Sequence, residues 1–247
     1  MNASFDDLVA AAESAPRQGW DFSWLDGRIY GDPLPWEYDD LARAAVGRAT
    51  ALLDVDTGGG ELLASFQPLP AKAVATEGWE PNLQLARDLL TPLGVDVRAQ
   101  RVRELPAADE EFDLILNRHG HFDADEVWRV LRPSGRVVMQ HVGVGNDREF
   151  NVALGVPDPV GGGTLERTTA ELRGVGFEVL NAHSAHQAVH YRDIGAVVYH
   201  LHRISWQIPD FGVAKYESEL RAIHERIQRD GSFVVHDHRY FVEAVKP

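Results

Sequence analysis

In residues 52–61, LLDVDTGGGE, a short apolar run ends in acidic residues, and three consecutive glycines follow after a single threonine. The apolar run indicates a buried β-strand, and the residues after the glycines are typical of a helix. Because glycine has no Cβ, such a turn lets a ligand approach the main chain closely. Unpaired N–H groups at the start of a helix bind polar or anionic groups. The stretch therefore predicts a ligand-binding turn between a strand and a helix.

The segments that follow this turn alternate between strand and helix patterns. Strands are predicted at 51–56, 71–77, 95–99, 112–117, 136–142, 177–183 and 232–245. Helices are predicted at 39–49, 80–94, 123–135, 164–176, 193–204 and 213–231, and residues 28–40 are predicted to be a loop. This alternation favours an α/β fold in which helices cover both faces of a parallel, doubly wound sheet.

Composition excludes several classes of function. The chain has 247 residues, 44% of them hydrophobic and 25% charged, which suits a globular α/β protein. It has no cysteine, which excludes disulfides, thiolate nucleophiles and cysteine-bound metals. The formal net charge of −14 disfavours nucleic acid as a partner and favours a small molecule.

The apolar runs of the chain are short. None approaches the ~20 residues that span a bilayer, so no membrane partner is expected. The opening MNASFDDLVAAAESA has no secretory hydrophobic region, and a cytoplasmic location is expected. The sequence leaves the oligomeric state open.

An acid ends the second predicted strand, at the distance used by nucleotide-binding folds. Glu77 stands 21 residues after Asp56, where a carboxylate can bind a ribose diol. A dinucleotide fingerprint would need a third glycine, but Leu63 occupies that position. The Gly-Lys-Ser/Thr of a phosphate-binding loop is also absent. The pattern therefore predicts an adenosine-containing cofactor.

The stretch Asp54-Val55-Asp56-Thr57-Gly58-Gly59-Gly60 resembles motif I of the class I S-adenosylmethionine-dependent methyltransferases, an acid followed by G-x-G-x-G. The resemblance is to the type 11-like domain of that superfamily. Asp56 replaces the first glycine, and aspartate tolerates positive φ, so the turn is expected to form. Three later stretches are similar in the same order: VATEGWEPN (74–82), RVRELPAADEEFDLILNRHGHF (101–122) and VWRVLRPSGRVVM (127–139).

The resemblance implies S-adenosylmethionine as cofactor and a set of residues that bind it. These are Trp36, Tyr38, Asp56, Thr57, Gly58, Gly60, Glu77, Gly78, Trp79, Arg101, Val102 and Asn117. Glu77 would hold the ribose hydroxyls. Many relatives have an aspartate at the position of Arg101, so adenine contact is left to the backbone near Arg101 and Val102. Trp36 and Tyr38 would approach the methionine end of the cofactor, or alternatively serve packing alone.

The resemblance also implies the architecture. A Rossmann-like sheet of seven mostly parallel strands is expected, with the last strand antiparallel. Residues 1–50 would form an N-terminal helical and loop segment that covers the cofactor site. Residues 51–247 would form the methyltransferase domain, with a helical cap inserted at about 191–230.

Histidines are the candidate catalytic side chains. Ligands of doubly wound sheets bind beyond the carboxyl ends of the strands, where His119, His121 and His141 are predicted to lie near one crevice. His119 is the candidate general base, and the alternative is a histidine that only hydrogen-bonds substrate or backbone. Some relatives use no base. The histidine pairs elsewhere lack a third ligand or diverge, so no metal site is predicted.

The predicted function is methylation of an oxygen or nitrogen of a small molecule by in-line transfer, for which the protein supplies positioning and a dry pocket. One alternative is an RNA methyltransferase of the same fold, which the acidic composition disfavours. Another is a non-catalytic S-adenosylmethionine-binding protein. Asp56 and Arg101 differ from the residues that the family has at these positions, and these differences leave that alternative open.

Overall fold

The computed structural model describes residues 3–16, 20, 22–100, 104–159 and 162–247. The strands are β1 (Ile29–Gly31), β2 (Ala51–Val55), β3 (Lys72–Glu77), β4 (Asp96–Ala99), β5 (Phe112–Arg118), β6 (Leu131–Val142), β7 (Glu178–Tyr191) and β8 (Phe233–Val245). The α-helices are α1 (Phe5–Ser14), α2 (Tyr38–Val46), α3 (Glu61–Ala64), α4 (Glu80–Leu90), α5 (Ala124–Val130), α6 (Arg148–Leu154), α7 (Leu165–Val175), α8 (Ile194–Arg203) and α9 (Glu217–Asp230). The predicted alternation of strands and helices is confirmed.

The described strands form an eight-stranded sheet in the order β1-β7-β8-β6-β5-β2-β3-β4. Strands β2 to β6 pair in parallel. Strand β8 runs antiparallel to β6, which confirms the predicted antiparallel last strand. The predicted count of seven is wrong, because β1 pairs antiparallel with the end of β7. A strand of only three residues is too short to show an alternating pattern in sequence, so this segment was predicted as loop.

The chain divides into two compact units. Unit 1 comprises residues 1–34, 144–162 and 186–238, and unit 2 comprises residues 35–143, 163–185 and 239–247. In unit 1, helices α1, α8 and α9 enclose a core that includes Phe150, Tyr199 and Leu220. In unit 2, strands β2, β5 and β6 contribute Leu53, Ile115 and Val137 to a second core. Within the described ranges, no helix is both long and apolar enough to cross a bilayer.

The junction of α5 and β6 differs from the prediction. A helix was predicted to extend to Gly135, but α5 ends at Val130 and β6 begins at Leu131. Proline disfavours the helical conformation of the residue before it, so Pro133 forces the chain to become extended early. Ser134 then adopts φ 64°, and the pairing of β5 with β6 shifts register between Phe112 and Leu114. The extra residues form a bulge in the strand.

The parallel strands of unit 2 bring their carboxyl ends to one edge of the sheet. Val55 pairs with Asn117, and Arg118 pairs with Gln140, so the residues after β2, β5 and β6 emerge side by side. Strand β3 adds Glu77 at the same edge through its parallel pairing with β2. This edge is where a doubly wound sheet binds ligands.

Candidate functional site

The glycine loop that follows β2 has the unusual backbone predicted for it. Asp56 has φ 53°, Gly58 has φ 66° and Gly60 has φ 90°. The positive φ of Asp56 confirms the expectation that the turn forms with aspartate at this position. The N–H of Thr57 donates to the carbonyl of Thr76 at 2.8 Å and ties the loop to β3.

Gly60 is required by helix packing. A Cβ on Gly60 would lie 2.7 Å from the Cδ1 atom of Leu90, the last residue of α4. The absence of a side chain therefore lets α4 pack closely against the loop, the role that a glycine in this kind of turn often has. This packing accounts for Gly60 without any ligand, and its predicted contact with a cofactor stays a prediction.

We expect Gly60→Ala to destabilise the protein by about 1–3 kcal/mol more than Gly94→Ala, because overpacking is added to backbone strain. Gly94 is the matched control, since it has φ 84° and a Cβ there would meet nothing within 4 Å. Denaturant unfolding of both variants measures the difference. Equal losses of stability would show that Leu90 moves aside without a penalty.

The side chain of Asp56 also stabilises the turn that follows β5. Its Oδ2 accepts a hydrogen bond from the N–H of His121 at 2.5 Å. Asn117, 1% exposed, donates its side-chain amide to the carbonyl of His121 at 2.6 Å and accepts from the N–H of Gly120 at 3.0 Å. A Cβ on Gly120 would lie 2.7 Å from the Cβ of Asp56, so only glycine fits there. The side chains of Asp56 and Asn117 thus hold together two of the loops at the edge of the sheet.

Glu77 lies directly against the glycine loop. It is 6% exposed, and its Oε1 accepts from the N–H of Trp79 at 2.7 Å. Burial raises its pKa, the negative charge of Asp56 raises it further, and hydrogen bonds from the backbone of Trp79, Gly78 and Gly58 oppose the rise. Gly78 and Trp79, which were predicted to bind the cofactor, leave space next to Glu77. Trp79 is 53% exposed, and a Cβ on Gly78 would meet only the carbonyl of Gln100, at 3.5 Å.

Three carboxylates thus stand at the ends of β2 and β3, and the pKa of each is raised. Burial is the largest cause for Asp54, Asp56 and Glu77 alike. The pKa of Asp54 rises to about 7, with the charge of Asp56 contributing and a hydrogen bond from Thr57 opposing. A bound cation would stabilise the charged form of these three carboxylates, and their negative charge disfavours binding of a phosphate group.

The raised pKa of Asp54 predicts a loss of stability as the pH rises. The folded protein keeps this proton to a pH of about 7, whereas an unfolded chain loses it near pH 4. The stabilisation is therefore complete below about pH 4 and is lost between there and about pH 7. We expect wild type to lose on the order of 1–4 kcal/mol more than Asp54→Asn between pH 4.5 and pH 8.

Unfolding by urea at several pH values measures this difference. Asp88→Asn is the control, because Asp88 is exposed on α4. Parallel stability curves for wild type and Asp54→Asn would contradict the prediction.

Trp36 and Tyr38 are buried at this edge of unit 2. The indole N–H of Trp36, 8% exposed, donates to Oε1 of Gln140 at 2.7 Å. Tyr38 is 4% exposed, and its pKa is raised well above the ordinary value by burial and then by the charge of Asp54. Both residues therefore pack and hydrogen-bond within the protein, in line with the packing alternative given for them in the sequence analysis. A contact with the cofactor stays a prediction.

The three predicted histidines occupy different environments. His141 is 7% exposed between Phe122 and Tyr240, and burial lowers its pKa to about 4. His121 is exposed, and its backbone N–H binds Asp56. His119 follows β5 with φ 63° and is exposed, although neighbouring protein partly dehydrates its ring. Only His119 and His121 therefore offer an accessible side chain.

Gln140 also lies in this region, but the sequence analysis did not predict it as a site residue. It is 3% exposed, its Oε1 binds Trp36, and its Nε2 lies 3.4 Å from Nε2 of His119. The available signal was a single amide in the otherwise apolar strand segment RVVMQHV. Arg101 and Val102, predicted near the adenine, lie outside the described residues.

Unit 2 contains a small cavity and a larger groove that are lined in part by residues of the candidate site. A small one of about 10 Å³ lies among residues that include Val55, Leu105 and His121, and it has room for about one water molecule. A groove of about 420 Å³ is lined by residues that include Trp36, His183 and Phe241. Among the described residues, no group of three or more side chains is arranged to hold a metal ion.

Part of the chain matches a known protein family. Residues 53–139 match the sequence profile of the family described as "Methyltransferase domain". No curated protein sequence matches the chain. The matched segment runs from β2 into β6, so it contains the glycine loop, Glu77 and His119.

Solved structures share the fold at low sequence identity. A provisionally assigned methyltransferase from Bacillus halodurans C-125 is 20% identical with a TM-score of 0.61, and the match covers 85% of this chain and 99% of that one. The [4+2]-cyclase SpnF is 19% identical with a TM-score of 0.54, covering 85% and 80%. A geranyl diphosphate methyltransferase in complex with S-adenosylmethionine is 13% identical with a TM-score of 0.51, covering 85% and 84%.

The profile match and the fold identify the same part of the molecule as the sequence motifs do. The match begins within β2 and ends within β6. Residues 53–139 therefore resemble a methyltransferase domain, and the chain shares its fold with these solved structures.

Proposed function

We propose that this protein binds S-adenosylmethionine at the glycine loop and transfers its methyl group to an oxygen or nitrogen of a small molecule. The observation that carries the proposal is the position of Glu77. Its buried carboxylate ends β3 and accepts a hydrogen bond from the backbone of Gly58 in the glycine loop. A carboxylate at this point of a doubly wound sheet can bind a ribose diol.

The residues present fit this cofactor. The carboxylates of Asp54, Asp56 and Glu77 have raised pKa values, and a positively charged sulfonium compound would be attracted there. The same charges disfavour a dinucleotide or a nucleoside triphosphate. When bound, S-adenosylmethionine supplies a methyl group that is activated by the sulfonium charge.

The chain's own residues would position the two reactants. Glu77 would hold the ribose, the backbone of Thr57 and Gly58 would lie against the cofactor, and Gly78 and Trp79 would line the adenosine. The side chains of Asp56 and Asn117 would keep the loops in place through the bonds to Gly120 and His121. Positioning of this kind provides much of the rate enhancement in a two-substrate reaction.

A small-molecule acceptor is supported by the groove lined by Trp36, His183 and Phe241. Its volume of about 420 Å³ falls within the range of ligand pockets, about 300–1,000 Å³. The centroids of the Trp36 and Phe241 rings are 6.2 Å apart, so the groove presents aromatic surface. His119 does not line this groove, but Gln140 connects it to Trp36, which does, and we propose His119 as the residue that contacts the acceptor. The general-base role predicted for it, and the cap role predicted for residues 191–230, stay predictions.

Calorimetric titration with S-adenosylmethionine and S-adenosylhomocysteine tests the proposal. We expect both to bind, and NAD and ATP to bind at least about tenfold more weakly because phosphate is disfavoured near the carboxylates. A screen of metabolites with radiolabelled methyl donor would then identify the acceptor. Tighter binding of NAD or ATP would overturn the proposal. Bound cofactor without transfer to any acceptor would support the binding-protein alternative, since one fold can serve different functions.

A further inference from the structure

Trp36, Gln140 and His119 form a chain of contacts within unit 2. The indole N–H of Trp36 can only donate, so the atom of Gln140 that lies 2.7 Å from it must be the carbonyl oxygen. The amide NH₂ group of Gln140 then faces Nε2 of His119, at 3.4 Å. Trp36 and Gln140 are 8% and 3% exposed, so packing limits rotation of both side chains.

This orientation decides where the proton of His119 lies. An amide NH₂ group needs an acceptor, so Nε2 must be unprotonated and the proton of the neutral ring must be on Nδ1. A second proton on Nε2 would point at the amide hydrogens. The pKa of His119 is in agreement, since it lies well below its ordinary value, chiefly through burial and then through the charges of Arg239 and Arg118.

The backbone holds the ring in this place. His119 has φ 63°, which few non-glycine residues adopt, and its N–H donates to the carbonyl of Gln140 at 2.8 Å. His119 is therefore tied to Gln140 by both main chain and side chain. Strained backbone of this kind is often found at functional sites.

The Nδ1–H group is available to a ligand. No hydrogen bond from Nδ1 to another described residue is present, and His119 is among the exposed residues. The charges of Arg239 and Arg118 act on this ring. Arg118 ends β5, with its guanidinium over the ring of Tyr38, and Arg239 pairs with Val142 at the end of β6. An N–H donor in the positive potential of two arginines is suited to bind an anionic oxygen.

We propose that Trp36 and Gln140 hold His119 as a neutral Nδ1–H donor, and that this donor, with Arg118 and Arg239, binds an anionic oxygen of a ligand. The inference rests on the proposed function, because the methionine carboxylate of the cofactor and an acidic acceptor both carry such a group. In this role His119 binds and orients the anion. It does not remove a proton, unlike the general base predicted from the sequence.

Nitrogen-15 NMR of the imidazole rings tests the tautomer. Wild-type His119 should be in the Nδ1–H form at neutral pH, with its signals assigned by their loss in His119→Asn. Gln140→Glu should move the proton to Nε2, because the carboxylate provides an acceptor there. Trp36→Phe should give a mixture, since the amide can then rotate. Gln84→Glu, the same change on the exposed face of α4, should have no effect. An Nε2–H form in the wild type would overturn the proposal.

Two pairs of probes test the anion and its source. S-Adenosylhomocysteine has a carboxylate that 5′-methylthioadenosine lacks, and benzoate is the anionic counterpart of benzamide. If the cofactor provides the anion, S-adenosylhomocysteine should shift the Nδ1–H signal and methylthioadenosine should not. If the acceptor provides it, benzoate should do so in the presence of S-adenosylhomocysteine. The double variant Arg118→Gln/Arg239→Gln should weaken binding of the effective anion at least about tenfold.

The outcomes separate this inference from the proposed function. If S-adenosylhomocysteine binds but neither anion shifts His119, the anion site is wrong and the proposed function stands. If S-adenosylhomocysteine does not bind but benzoate alone shifts the Nδ1–H signal, the anion site stands and the proposed function fails.

Discussion

Replacing Gly58 with valine should abolish cofactor binding, with a loss of affinity of at least about a hundredfold, or ~2.7 kcal/mol. Gly58 has φ 66°, a conformation that a β-branched residue rarely adopts. Its backbone also donates to the Glu77 carboxylate, so a distorted loop would displace the residue proposed to hold the ribose. The valine side chain would in addition occupy the space that the cofactor needs next to the main chain.

Gly94→Val is the control for this variant. Gly94 has φ 84° with open space where a Cβ would lie, so valine there introduces backbone strain of about 1–3 kcal/mol without touching the loop. Melting temperature and calorimetric affinity for S-adenosylmethionine should be measured on the same samples. Both variants should melt earlier, and only Gly58→Val should lose binding. If Gly58→Val binds normally, the glycines serve the turn alone and the cofactor binds elsewhere.

Replacing Glu77 with glutamine should weaken S-adenosylmethionine binding by roughly ten- to a hundredfold, because charge-assisted hydrogen bonds contribute about 1.5–3 kcal/mol. Glutamine keeps an oxygen for the N–H of Trp79, which Oε1 of Glu77 now accepts at 2.7 Å. The fold should therefore survive. Glu77→Ala is a less informative variant, because Glu77 is only 6% exposed. Alanine would leave buried N–H groups unpaired, at a loss of about 1–3 kcal/mol in stability.

Glu80→Gln is the matched control for Glu77→Gln. It removes the same charge three residues away, at an exposed position in the first turn of α4. Affinity and unfolding free energy should both stay close to wild type in that control. A folded Glu77→Gln protein with wild-type affinity would show that the carboxylate only organises the loop. The ribose would then have to be bound by other groups.

Local patterns in the sequence were sufficient to predict the central strands of unit 2. Apolar runs separated by glycine and proline predicted β2, β3 and β5 to within about two residues at each end. The glycine loop followed from the chemistry of its residues, because Asp56, Gly58 and Gly60 all adopt positive φ. A short-range signal of this kind needs no knowledge of partners elsewhere in the chain. The strand β1 could not be predicted, since three residues pair only where the end of β7 provides an edge.

The α/β class, the glycine loop after β2 and the acid at the end of β3 could be predicted, because each depends on residues close together in the chain. What those residues contact depends on how the whole chain folds. The tertiary structure set Gly60 against Leu90, bonded Asp56 to His121 across 65 positions, and connected Trp36 to His119 through Gln140. Pairings between distant residues depend on strand order and on the face of the sheet that each side chain occupies. The pattern of residues around one position does not contain that information.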